Sequence, residues 1–106
     1  MNKEEKIAPP QFSNRRFRAT VDKTPAGSIR IRFHSATERL HCERQLSALI
    51  YEIAAELERR AETKKTRWAI SPYAYDAYLD VELSERDNHT AASAMVAEVI
   101  QEAGLQ

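Results

Sequence analysis

Phe17, Ala19 and Val21 alternate with polar residues, as do Ile29, Ile31 and Phe33, but from Cys42 to Leu57 the apolar positions recur every third or fourth residue. The hydrophobic period therefore changes from that of a strand to that of a helix. The same change happens a second time. Tyr75, Ala77, Leu79, Val81 and Leu83 alternate, and Ala92, Met95, Val96, Val99, Ile100 and Ala103 then follow helical spacing. A chain that runs through these periods in this order has few ways to bury one side of every element.

Turn and cap residues set the boundaries. The stretch from Lys23 to Gly27 contains Pro25, which pre-sets a turn φ, and Gly27, which tolerates a positive one, so the second strand returns antiparallel to the first. Ser35 and Glu38 form an S-x-x-E capping box, which starts a long helix. Its stripe is Cys42, Leu46, Leu49, Ile50, Ile53 and Leu57, and it runs to about Ala61. Residues 62 to 66 read as a connection. A short strand from Arg67 to Ser71, closed by Pro72, precedes a longer one through Tyr75 to Leu83. Ser84 with Asp87, or Asn88 itself, caps the second helix, which Gly104 ends so that Leu105 folds back.

The resulting order, ββαββα, predicts an α+β two-layer sandwich: a four-stranded antiparallel sheet with both helices on one face. Moving the first strand to the end gives βαββαβ, so the expected architecture is a circularly permuted ferredoxin-like fold with sheet order first-second-fourth-third. Residues 1 to 13 are polar, hold Pro9 and Pro10 and lack periodicity, which predicts a flexible N-terminal tail before a single domain over 14 to 106.

A chain of 106 residues with 42% hydrophobic content can form one core. No apolar run approaches the roughly 20 residues that span a bilayer, and the first residues lack a signal-peptide segment, so a cytoplasmic protein is expected. Cys42 is the sole cysteine, which excludes an intrachain disulfide or a cysteine-based zinc site. Cys42 belongs to the helix stripe, and its neighbour His41 points about 100° away, so the two do not form a catalytic pair. His34, His41 and His89 show no ligand spacing, and Glu56 with Glu58 on a helix is no metal motif. No enzyme activity, cofactor, metal or small-molecule ligand is expected.

Function has to be sought in charge and surface. Arg30, Arg32 and His34 share one side of the second strand, and Asp76, Asp80 and Glu82, with Tyr78, share the corresponding side of the last. If these strands are neighbours, a cross-strand charge match fixes their register. Residues 1 to 34 hold eight Lys and Arg against three Asp and Glu, whereas residues 67 to 106 hold two against seven, and the whole chain has a formal net charge of +0. The favoured reading is a non-enzymatic protein-interaction or regulatory module. It self-associates as a homodimer or binds another protein, through the open sheet face or an edge strand. Leu40, Tyr51 and Ala55 form a second, weakly apolar flank on the first helix that could serve as an interface. The alternative is binding of DNA or RNA by the arginine-rich edge, Arg15, Arg16 and Arg18, with the sheet arginines. Against it, the face offers Tyr78 alone for stacking, among acids that repel phosphate.

Overall fold

The computed structural model describes residues 17–35 and 43–106. The tail, Arg15, Arg16, Glu38, Leu40, His41 and Cys42 lie outside these residues, so the proposed capping box is described only at Ser35 and the expected helix stripe only from Leu46.

Strand β1 (Phe17–Lys23) and strand β2 (Ile29–Ser35) form a hairpin, with Phe17 opposite Ser35 and Lys23 opposite Ile29. In the turn, Thr24 and Ser28 pair through their backbones, Thr24 Oγ1 accepts from the Ser28 amide at 3.1 Å, and Gly27 adopts φ 93°. Only glycine takes that conformation without a Cβ clash. Helix α1 (Glu43–Thr63) follows, then strand β3 (Ala69–Tyr73), strand β4 (Tyr78–Glu82) and helix α2 (His89–Glu102). The strands form one antiparallel sheet in the order β1-β2-β4-β3, the order expected of a ferredoxin-like arrangement whose first strand has moved to the other end.

One core holds the molecule together. From the sheet it takes Phe17, Ile29, Ile31, Phe33, Leu79 and Val81, all of one parity, and from the helices Leu49, Ile50, Ile53, Leu57, Met95, Val96, Val99 and Ile100. Both helices therefore cover the same face, and among the described residues no layer covers the other. Trp68 joins the core from the chain entering β3. Where the two helices meet, Arg60 bonds Glu56 on its own helix at 2.6 Å and Glu98 on α2 at 3.1 Å, and also reaches Glu102.

The helix ends follow capping rules. Asn88 accepts a 2.9 Å bond from the Ala91 amide and starts α2, while Ser84 and Asp87 close the turn before it. At the other end the Leu105 amide reaches the Ile100 carbonyl and that of Gly104, at φ 73°, reaches Gln101, which is a Schellman ending that buries Leu105. Helix α1 ends the same way, with Thr66 bonded to Ala61 and Lys65 in the left-handed position usually given to glycine.

Two boundaries differ from the sequence expectation. Pro72 does not close β3 but lies inside it, opposite Leu79. An edge strand accepts a proline whose missing N–H faces away from the ladder. The expected long strand from Tyr75 is also interrupted: Ala74–Asp76 forms a 3₁₀ turn, and Ala77 takes φ 62°, ψ 40° before β4 begins at Tyr78. The turn takes Tyr75 off the core parity and leaves it 98% exposed.

Candidate interaction face

The uncovered face of the sheet is built in rows. The first crosses the sheet from Asp22 through Arg30 and Asp80 to Ser71, the second from Thr20 through Arg32 and Tyr78 to Tyr73, and Arg18 lies opposite His34 beyond them. Pairing of β2 with β4 aligns the parities noted above, so these side chains share one face.

The structure brings Arg30 and Asp80 together. The guanidinium binds the carboxylate with both arms, Nε to Oδ1 at 2.8 Å and Nη2 to Oδ2 at 2.9 Å, the bidentate geometry that makes such pairs specific. That hydrogen bonding holds the Arg30 guanidinium above its already high ordinary pKa, so it is charged at any accessible pH. Asp80 is buried, although it projects from an uncovered face, because Arg30 and its neighbours close over it.

The rest of the expected charge match takes other partners. Arg32 lies opposite Tyr78, with its guanidinium carbon 6.0 Å from the ring centre, and His34 Nε2 bonds Thr20 Oγ1 at 3.1 Å on β1 rather than a carboxylate on β4. The physical reason is the short β4: the turn at Ala74–Asp76 takes Asp76 off the strand just where it would have met His34. Glu82 sits opposite Ala69, at the far end of the face from His34. Among the described residues Arg18, Arg32 and His34 thus have no acidic partner.

Tyr78 is not alone on the face. Tyr73, its partner on β3, stacks on it with ring centres 4.8 Å apart and planes at 28°, while the Arg30 guanidinium carbon stands 4.1 Å from the Tyr78 ring centre. Both geometries fall in the favourable range for aromatic and cation–π contacts. Sequence reading missed Tyr73 by ending the strand at Pro72. The signal was present, since Ala69, Ser71 and Tyr73 keep one parity through the proline. Tyr73 remains 41% exposed at the edge of the stack.

The two sheet edges are less open than the face. On β1 the Ala19 amide already donates to the Leu105 carbonyl at 2.7 Å. On β3, Pro72 has no N–H, and its place in the ladder turns that gap outward, so the strand offers a broken row of donors. Of the helix flank, Tyr51 and Ala55 are exposed rather than packed under α2, and Leu40 lies outside the described residues.

Groups with chemical potential lie scattered. His89 is half-buried and donates from Nε2 to the Ser84 carbonyl at 2.9 Å, which ties the helix start to the preceding turn. Two open depressions, of about 530 and 620 Å³, lie beside Trp68 and beside Leu83, and neither is lined by a histidine or cysteine. Among the described residues no three His, Cys, Asp or Glu side chains are grouped to hold a metal ion, and no helix is long and apolar enough to cross a membrane. Compared with known proteins, the chain matches no family model, no curated protein and no solved structure.

Proposed function

We propose that this protein is a non-enzymatic association module, regulatory rather than catalytic and working in the cytoplasm, which binds protein through the open face of its sheet. The observation that supports the reading is the ordered stack of Arg30, Tyr78 and Tyr73 on a face that no layer covers among the described residues. Tyrosine and arginine are enriched among the residues that dominate interface energetics, arginine for its directional bonds and tyrosine for large contact area at little entropic cost. Here that cost is reduced further, since Asp80 and Tyr73 hold the group in place before any partner arrives. With one edge occupied at Ala19 and the other interrupted at Pro72, strand addition is a poorer route than face docking.

The test compares two purified baits after crosslinking in cells: the unmodified chain and a Tyr73→Ala/Arg32→Glu double variant, which alters exposed side chains only. Protein crosslinked to the first bait should fall at least tenfold with the second, whereas Tyr51→Ala on α1 should leave it unchanged. Equal recovery with all three baits would remove the open face from the reading.

Nucleic-acid binding is a second reading with an observation of its own. Arg18 on β1 and Arg32 on β2, with His34 opposite Arg18, form a corner that has no acidic partner among the described residues, and Arg15 and Arg16 precede β1 in sequence. The Asp80 charge is neutralised by Arg30, and the outer side of Tyr73 could take a base. This reading requires that a labelled single strand bind with steep salt dependence and that Arg18→Ala and Arg32→Ala each reduce the slope by about 1.

A further inference from the structure

We propose that the partner of the open face is a second copy of this chain, docked face to face about a two-fold axis that runs parallel to the strands between β2 and β4. The inference rests on the association reading above and supplies the occupant. The face divides lengthwise. Its arginines and His34 all stand on β1 and β2, whereas both tyrosines, Asp80 and Glu82 stand on β3 and β4, with Asp76 in the turn that leads into β4. Asp22 is the one acid on the basic half.

A two-fold interface uses the same patch on both copies, so the patch must be complementary to itself. This one is. The axis keeps each row opposite itself, so it lays the basic half of each copy on the tyrosine and acid half of the other, bringing Arg32 to the row of Tyr78 and Tyr73 and His34 toward Asp76. The same chemistry is already paired inside the chain, where Arg30 binds Asp80 and lies over Tyr78. What that internal pair leaves without an acidic partner among the described residues is Arg18, Arg32 and His34 on one half, and what it leaves open at the same end of the other half is Asp76 and the outer side of Tyr73, Glu82 lying at the far end opposite Ala69. A second copy satisfies both sets together, whereas a polyanion satisfies only the first and is repelled by the second. The formal net charge of +0 means that two copies do not repel one another at long range.

The size of the face sets the strength. Four strands about 4.8 Å apart and about five residues long at about 3.4 Å each present roughly 300 Å² of sheet per copy, well below the roughly 800 Å² per partner of a standard specific interface. The dimer is therefore weak, concentration-dependent and reduced by salt.

Sedimentation velocity of the full chain across a wide concentration range, at low and high salt, tests this with two charge-swap variants. Arg18→Glu/Arg32→Glu makes both halves of the face acidic, and Asp76→Lys/Glu82→Lys makes both basic. Each variant alone should lose the dimer, and an equimolar mixture should recover it as a heterodimer. Amide shifts of the unmodified chain on dilution provide a readout that needs no variant, and they should map to open-face residues of β1 to β4. A chain that stays monomeric throughout overturns the inference, and so does a dimer that either variant retains alone or whose dilution shifts fall on α1 or α2. Displacement of the dimer by a single-stranded oligonucleotide overturns it too. The association reading fails separately, when crosslinked protein is insensitive to Tyr73→Ala/Arg32→Glu.

Discussion

At the scale of single residues, the fold places charge where neighbours hold it. Glu56 accepts from Arg59 and Arg60, and these hydrogen bonds, that from Arg59 foremost, keep its carboxyl below its ordinary value of 4.5. A carboxyl whose folded pKa is depressed stabilises the fold fully above the unfolded value, and that contribution is lost as pH falls through the folded one. The thermal midpoint should therefore decline as pH is lowered from about 4.5, and Glu56→Gln should flatten that part of the profile in a calorimetric pH series. The Arg30–Asp80 pair was legible at this scale because parity alone put both residues on one face once their strands were neighbours. The Tyr73–Tyr78 stack was not, since a proline inside an edge strand reads like a proline after one.

At the scale of elements, Ala77 is the position where local geometry overrides pattern. Alternation from Tyr75 to Leu83 is unbroken in the sequence, yet the left-handed residue ends the regular strand and separates Tyr75 and Asp76 from β4. Alanine carries no signal for that conformation, which glycine or asparagine normally supplies. The backbone tolerates it because the Ala77 carbonyl accepts from the Phe33 amide at 2.9 Å and its amide bonds the Ala74 carbonyl at 3.1 Å. Left-handed geometry costs an L-residue about 1–2 kcal/mol, part of which glycine returns through unfolded-state entropy, so Ala77→Gly should stabilise the protein by roughly 0.5–1 kcal/mol in denaturant unfolding. Lys65 shows the same economy at the end of α1.

At the scale of the whole molecule, the sheet order and the side on which the helices lie followed from the order of hydrophobic periods, because both helices must cover the apolar parity of every strand. What the uncovered side does was less legible, for its contacts depend on a strand end that no periodicity encodes and on a stack whose parity runs through a proline. The C-terminal segment closes the fold: Leu105 is fully buried, and its carbonyl holds the edge of β1 at Ala19. Leu105→Ala should cost about 2–5 kcal/mol, the range for a leucine removed from a packed core, and hydrogen exchange at Ala19 should quicken with it. That single bond also bears on the fate of the protein under stress. A sheet edge with free donors is a template on which other chains polymerise, and fibrils grow by copying such an edge. Pro72 interrupts one edge permanently, by covalent structure, whereas the other is guarded only while the segment at Leu105 stays docked. Fraying of a few residues, long before the core unfolds, is thus the event that would expose the β1 edge to pairing with another chain.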